Sequence, residues 1–182
     1  MILPTPAQTI GPFYGYALPF PGGADIAPRG HSQVVTVHGS VRDGGGDPVP
    51  DALLESWQTV PRPGPGSMRR DPVNGGFAGR NGVDFTGFGR VATDADGHWA
   101  IRTLAPPATA PYLALCVFAR GLTHHLFTRA YLVRPTEDRL LSTLPPDRAR
   151  TLMATGDGER TYRFDIHLQG EKETVFLDFR HH

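Results

Sequence analysis

Residues 33–43, QVVTVHGSVRD, form the most regular segment of the sequence. Val35, Val37 and Val41 alternate with polar residues, at the period of two that a half-buried β-strand requires. The glycine-rich turn GGGDP follows and is typical of a hairpin connection. We therefore predict that DALLESWQTV, residues 51–60, is the returning strand, and that the fold is built from β-strands.

Similar short strands recur along the rest of the chain, separated by turns that contain glycine and proline. Strands are predicted within residues 89–106, 111–121, 125–133, 160–170 and 173–179, and the second of these, PYLALCVFARG, is apolar enough to be central in a sheet. Residues 136–155 give the one helix signal, because Pro145 and Pro146 suit a helix start. The pattern predicts an all-β antiparallel β-sandwich with one short helix. We expect a single domain over residues 1–182, of which residues 1–33 form an irregular N-terminal arm.

Composition excludes several functional classes. The 18 basic and 18 acidic side chains cancel, so no global field attracts nucleic acid or an anionic membrane surface. No apolar run reaches the roughly 18 residues that a membrane-spanning helix needs. Since no targeting segment is visible, we expect a cytoplasmic location. The single cysteine, Cys116, leaves no intrachain disulfide, and its place in an apolar strand predicts a buried apolar filler rather than a nucleophile.

Patterns of polar residues alone predict no catalytic residue and no metal ligand in this chain. His124 and His125 are adjacent, so on a strand they would face opposite sides. Arg120 is different, because it ends an apolar strand and precedes a glycine. A guanidinium there is suited to bidentate contact with a carboxylate. The same pattern also fits an arginine paired with an acidic side chain on the surface.

Four segments together resemble the intradiol ring-cleaving dioxygenases. They are TPAQTIGPFY (5–14), VHGSVRDGGGDPVPDALLESWQ (37–58), GFGRVATDADGHWAIRTLAP (87–106) and TYRFDIHLQGEKETVFLDF (161–179). The resemblance implies a transthyretin-like β-sandwich that carries a non-haem ferric ion, held by two tyrosines and two histidines. It also implies an activity in which oxygen is inserted between the two hydroxyl-bearing carbons of a catechol to give a cis,cis-muconate.

The residues at the ligand positions of that family differ in this chain. The family's His-x-His falls on Tyr112 and Ala114, and its first ligand tyrosine falls on Phe77. The segment that would hold the second tyrosine is reduced to LAPPATAP, residues 104–111. The resemblance therefore implies a chain that does not bind the catalytic iron. In family members built from homologous α and β chains, this is the α chain, and Fe(III) belongs to the β partner.

In such α chains the N-terminal segment and the strand-end arginine reach toward the partner's iron. By position these residues are Thr9, Gly11, Pro12 and Arg120, and we predict that they line the substrate pocket. Glycine permits close backbone approach and proline fixes a rigid wall, while Arg120 would bind the carboxylate of a substrate such as protocatechuate. The arm at 1–33 would contribute to the partner interface.

Two other interpretations stay open at this point. One is a homomeric intradiol dioxygenase with a rearranged metal site. The other is a non-catalytic transthyretin-like binding domain without an enzymatic partner. Iron content separates the first from an iron-free α chain, and a homologous iron-binding partner would exclude the second.

Overall fold

The computed structural model describes residues 14–59, 68–70, 72–73, 77–80 and 83–179, and for residues 16, 68–70 and 77–80 it describes the backbone only. Three predicted pocket residues, Thr9, Gly11 and Pro12, lie outside the described residues. None of the helices within the described ranges has the length and apolar character needed to cross a membrane.

The described residues contain eleven strands and three short helices. In chain order these are α1 (Tyr14–Ala17), β1 (Val34–Arg42), β2 (Leu53–Trp57), β3 (Met68–Arg70), β4 (Phe77–Arg80), β5 (Phe88–Ala92), β6 (His98–Leu104), β7 (Leu113–Phe118), β8 (Leu126–Ala130), α2 (Arg139–Thr143), α3 (Pro146–Arg150), β9 (Thr155–Gly156), β10 (Thr161–Arg163) and β11 (Ile166–His167). The predicted β-sandwich is confirmed, with two more short helices than the single one expected.

The first sheet is organised around β1, the strand that the sequence marks most clearly. Its order is β11-β1-β10-β9, and β6 pairs with β1 along its whole length in antiparallel fashion. Val35, Val37 and Val41 of β1 point inward, and Val37 and Val41 are fully buried. Both β10 and β11 run parallel to β1, so this sheet is mixed.

Gly39 lies opposite the break between β10 and β11. A Cβ atom at Gly39 would lie 1.9 Å from the carbonyl oxygen of Phe164, so only glycine lets the two backbones approach this closely. Phe164 turns into the core there and is 2% exposed. The Asp165 carboxylate accepts a hydrogen bond from the Ser40 amide at 2.9 Å, which bridges the break.

The second sheet has the order β5-β2-β7-β8 and is antiparallel throughout. As predicted, β7 is a central strand and pairs with β8. The predicted hairpin between β1 and β2 is wrong, because the two strands lie in different sheets. The turn at 43–48 does form, and Val49 still donates to the Val41 carbonyl at 2.9 Å. The chain then crosses to the other layer, where the apolar side chains of β2 join those of β1 in one core between the sheets.

The C-terminal region differs from the prediction in one respect. Residues 173–179 do not form a regular strand. They lie beside β8 and are joined to it by a single antiparallel β-bridge between Phe127 and Leu177. Leu177 is only partly buried and Phe179 is 59% exposed. The alternation in ETVFLDF therefore reflects a segment laid against the edge of the second sheet.

Two hydrophobic clusters hold the described residues together. The larger lies between the sheets and includes Trp99, Ile101 and Leu115, each about 1% exposed. The smaller packs α2 and α3 around Tyr131 and Leu152, both fully buried. The second cluster also contacts Tyr112, the residue before β7.

Candidate functional site

Arg120 lies where the sequence predicts, at a chain reversal two residues beyond β7. Gly121 continues the turn with a φ of 82°, a conformation that glycine adopts without strain. The Arg120 side chain is 63% exposed, whereas that of Asp51 is only 13% exposed. The arginine thus stands at the protein surface above a largely buried carboxylate.

Asp51 holds the Arg120 guanidinium in a bidentate contact. Arg120 Nε donates to both carboxylate oxygens of Asp51 at 2.8 Å, and Nη2 lies 2.8 Å from Oδ2. Planar, charge-assisted pairing of this kind orients a guanidinium. Asp51 precedes β2, so two neighbouring strands of the second sheet place the pair.

Tyr14 brings the N-terminal arm next to this ion pair. The residue is 5% exposed, and its hydroxyl has no hydrogen-bond partner among the described residues. Burial raises the pKa of Tyr14 to about 12; the negative charge of Asp51 adds to the rise and Arg120 opposes it. The ring packs against Phe118 with 6.3 Å between centroids. We call Tyr14, Asp51 and Arg120 the arginine corner.

Sequence reasoning missed both Tyr14 and Asp51 as members of this group. Tyr14 ends the motif QTIGPFY and follows Pro12 by two residues, which was the available signal. Asp51 carried no signal, because only the pairing of β2 with β7 brings it to Arg120. The roles predicted for Thr9, Gly11, Pro12 and Arg120 stay predictions.

A shallow apolar cavity opens beside the arginine corner. Its lining residues include Tyr14, Phe118, Ala119, Leu122, His124 and His125. His125 packs edge-on to Phe127, with 4.7 Å between the ring centroids. The adjacent histidines therefore belong to a turn that covers aromatic side chains.

A second cavity lies on the outer face of the second sheet and we call it the Ala114 pocket. In the strand register Ala114 stands between Trp57 of β2 and Arg129 of β8. The cavity has a volume of about 200 Å³. Its principal lining residues are Trp57, Tyr112, Ala114, Phe127, Arg129 and Phe179.

The Ala114 pocket contains the positions at which the family resemblance places His-x-His, and its side chains do not fit a ferric ion. Ala114 offers no donor atom. The Tyr112 ring lies under the Arg129 guanidinium, whose central carbon is 4.0 Å from the ring centroid. A cation placed at this phenol would face that positive charge. Of Phe77, which lies in β4, the structure describes the backbone only.

A polar cluster on the outer face of the first sheet was also missed by sequence reasoning. His38 Nδ1 lies 3.3 Å from His98 Nε2, and His38 Nε2 lies 2.8 Å from Asp157 Oδ2. The pairing of β1 with β6 places the histidines together. In the ranges that the structure describes, no group of three or more His, Cys, Asp or Glu side chains is placed to hold a metal ion.

Cys116 lies against the Ala114 pocket on β7 and is 5% exposed. Burial raises the pKa of its thiol to about 12, and the nearby charge of Glu55 adds to the rise. A thiol with so high a pKa is protonated at neutral pH and is a poor nucleophile. This agrees with the prediction of an apolar filler.

Comparisons with known proteins give the family. The chain is 35% identical over 198 residues to the protocatechuate 3,4-dioxygenase alpha chain of Burkholderia cepacia, a match that covers 96% of each chain. It is 34% identical over 205 residues to the protocatechuate 3,4-dioxygenase alpha chain of Pseudomonas putida, again covering 96% of each chain. No family model matches the chain.

Solved structures show the same fold. The dioxygenase domain of a dioxygenase–carbohydrate-binding fusion protein from Streptomyces sp. SirexAA-E has a TM-score of 0.53 at 21% identity, over 92% of this chain and 99% of that one. An intradiol ring-cleavage dioxygenase from Tetranychus urticae has a TM-score of 0.51 at 15% identity, over 79% and 83% of the two chains. From the sequence relatives and this fold together, the chain belongs to the protocatechuate 3,4-dioxygenase alpha chain family of the intradiol ring-cleaving dioxygenases.

Proposed function

We propose that this chain is the iron-free α subunit of a cytoplasmic αβ protocatechuate 3,4-dioxygenase. The complete enzyme inserts both atoms of O₂ between the two hydroxyl-bearing ring carbons of protocatechuate, which breaks the carbon–carbon bond and gives 3-carboxy-cis,cis-muconate. The observation that carries the proposal is the near full-length similarity to protocatechuate 3,4-dioxygenase alpha chains.

The Ala114 pocket supports the absence of iron from this subunit. Two imidazoles and two phenolates are the donors that the family uses, and at two of those positions this chain has Tyr112 and Ala114. The methyl group of Ala114 cannot bind a metal ion. Arg129 lies against Tyr112 and would repel a ferric ion there.

A homologous β chain would hold the non-haem ferric ion, which supplies the chemistry that activates the catechol toward oxygen. The contribution of this chain is to bind and orient the substrate at the subunit junction. Within the proposed single domain, 1–182, the arm at 1–33 would contact that partner. Thr9, Gly11 and Pro12 would form one wall of the pocket.

Arg120 would donate hydrogen bonds to the carboxylate of protocatechuate. Asp51 holds its guanidinium in a fixed orientation before the substrate arrives, and a guanidinium that is already oriented loses less conformational entropy on binding. The Arg120 side chain is 63% exposed in this chain alone, so a substrate carboxylate at the subunit junction could reach its guanidinium.

The proposed function is tested by co-expressing this chain with a homologous iron-binding β chain. We expect the two chains to co-purify, and the complex to consume protocatechuate and O₂ in equal amounts. Catechol is the matched control substrate, because it has the same reacting hydroxyls but no carboxylate. A stable chain that ignores the β chain in size-exclusion chromatography, or a β chain equally active alone, would contradict the proposal.

A further inference from the structure

The Ala114 pocket has walls that a single aromatic ring would fit. Its floor is the small side chain of Ala114, and its walls carry Trp57 on one side and Phe127 with Phe179 on the other. Phe127 and Phe179 meet edge to face, with 5.4 Å between centroids. Trp57 is 46% exposed and Phe179 is 59% exposed, so a ligand between them would bury apolar surface that otherwise faces water.

The volume of the pocket limits the size of the ligand. The cavity of about 200 Å³ is slightly larger than a protein cavity of about 150 Å³ that takes up benzene. One substituted six-membered ring therefore fits, and a bicyclic ligand would extend into solvent.

Arg129 gives the pocket a positive charge on its wall. Its guanidinium stacks on Tyr112 at 4.0 Å and donates from Nη1 to the Tyr131 hydroxyl at 3.3 Å. The nearest carboxylate oxygen described, Oδ2 of Asp138, is 4.0 Å away and already accepts from the Tyr131 hydroxyl at 3.0 Å. A guanidinium has five N–H donors, so most of those on Arg129 can be donated to an incoming anion.

From these contacts we propose that the Ala114 pocket binds a monocyclic aromatic carboxylate. The ring lies over Ala114, between Trp57 and the Phe127–Phe179 pair, and the carboxylate accepts hydrogen bonds from Arg129. Because Tyr112 already orients the guanidinium, little side-chain entropy is lost on binding. The site is formed entirely by this chain, and it does not depend on a β partner or on Arg120.

The test uses the full chain with 5-fluorotryptophan in place of its tryptophans, followed by ¹⁹F NMR during titration with benzoate. Trp57 lines the pocket, whereas Trp99 is 1% exposed in the core and serves as the internal reference. We expect a saturable shift of the Trp57 resonance alone. Acetate retains only the carboxylate and benzyl alcohol retains only the aromatic ring. Each should bind at least about tenfold more weakly than benzoate. The absence of a saturable shift with benzoate would overturn the proposal.

Three variants separate this site from nonspecific binding. Arg129→Met keeps the aliphatic stem and should weaken benzoate about tenfold, and Ala114→Phe should block the pocket while leaving its charge. Arg102→Met removes an equal charge from the outer face of the other sheet, where Arg102 pairs with Asp25 at 3.2 Å, and should change nothing. An unshifted Trp99 resonance verifies the fold of each variant.

Two outcomes of these measurements count against the site. Undiminished benzoate binding by both Arg129→Met and Ala114→Phe would overturn it. It would also be overturned if the Trp57 resonance responds to an added β chain and never to benzoate, because a protein partner would then cover the pocket. The first outcome leaves assembly with β untested and the second supports it, so the proposed function is tested separately by co-purification and protocatechuate cleavage.

Discussion

The arginine corner and the Ala114 pocket present the same charged group in two different settings. Arg120 is mostly exposed and is held by a carboxylate at 2.8 Å. Arg129 is 27% exposed, is held by an aromatic ring, and lies 4.0 Å from its nearest described carboxylate oxygen. Both arginines belong to the β7–β8 region of the second sheet.

The difference shows how the partner of an arginine affects what else it can bind. A carboxylate neutralises the guanidinium. If Arg120 moved away from Asp51, the buried charge of Asp51 would be left unpaired, which is unfavourable. A ring face attracts the cation without using its N–H donors. Arg120 is therefore suited to binding an anion in a fixed orientation set by Asp51, whereas Arg129 is suited to binding an anion with most of its N–H donors.

The largest effect is expected at the Ala114 pocket, where the family resemblance places an iron site. The chain purified alone should contain no stoichiometric iron and should cleave no catechol, since Ala114 has no donor atom and Tyr112 lies against Arg129. Metal analysis and visible absorbance measure this directly, because tyrosinate-to-iron(III) transitions require the metal. One iron per chain with colour would contradict the prediction and favour a homomeric enzyme.

The next effect tests the arginine corner. In an αβ complex of verified iron content, Arg120→Ala should reduce kcat/KM for protocatechuate by roughly ten- to a hundredfold, because a charge-assisted hydrogen bond is worth about 1.5–3 kcal/mol. Catechol has no carboxylate and should lose far less. Arg102→Ala is the matched control, because it removes the same charged group from the other sheet.

Equal losses for the two substrates would contradict carboxylate binding by Arg120. If the complex then also dissociates more readily, Arg120 braces the interface instead. Size-exclusion chromatography of the Arg120→Ala complex at decreasing concentration distinguishes these results.

A smaller effect is expected on the free energy of unfolding, when the carboxylates of Asp138 and Asp51 are removed in turn. Asp138→Ala removes the N-cap of α2, where the side chain accepts from the Leu141 amide at 3.0 Å, and leaves the buried Tyr131 hydroxyl without its acceptor. We expect a loss of about 2 kcal/mol in the free energy of unfolding. Asp51→Ala should lose about 1 kcal/mol or less, because its partner Arg120 is largely exposed and screened by solvent.

Urea unfolding midpoints at constant m-value measure both losses. If Asp51→Ala is the more destabilising of the two, the ion pair at the arginine corner is a structural element of the sandwich. Its interpretation as a positioning contact at a subunit junction would then be wrong.

The sequence predicts the strands well and their partners less well. The period-two valines of β1 and the apolar run of β7 locate both strands, because burial on one or two faces leaves a local pattern. The division into two sheets leaves no such pattern, so a compact turn such as 43–48 is easily taken for a hairpin. The parallel pairing of β10 and β11 with β1 depends on residues more than 120 positions apart in the chain.

The same limit applies to the candidate sites. Arg120 could be selected from its place at a strand end, and the resemblance to the family placed Tyr112 and Ala114. Asp51 and Arg129 could not be selected, since each gains its role only through the register of the second sheet. Side chains brought together by cross-strand pairing carry no signal in a single sequence.

The smallest effect concerns Tyr14 and tests whether the arginine corner is complete as described. Its hydroxyl is buried without a partner among the described residues, so Tyr14→Phe should change the free energy of unfolding at neutral pH by no more than about 0.5 kcal/mol. The pKa of Tyr14 is raised to about 12 in the fold and is about 10 when unfolded. Folding thus favours the protonated phenol, and stability should fall as the pH rises from about 10 to about 12.

Tyr14→Phe should reduce that alkaline loss but not abolish it, because burial also raises the pKa of Tyr131 to about 12. Tyr131→Phe is the control: it removes the hydrogen bond to Asp138 and should destabilise the fold at neutral pH as well. Urea unfolding at pH 7 and at about pH 11 compares the variants. A loss above about 1 kcal/mol for Tyr14→Phe at pH 7 would mean that the hydroxyl has a partner outside the described residues. The arginine corner would then include a further polar group beside Asp51 and Arg120.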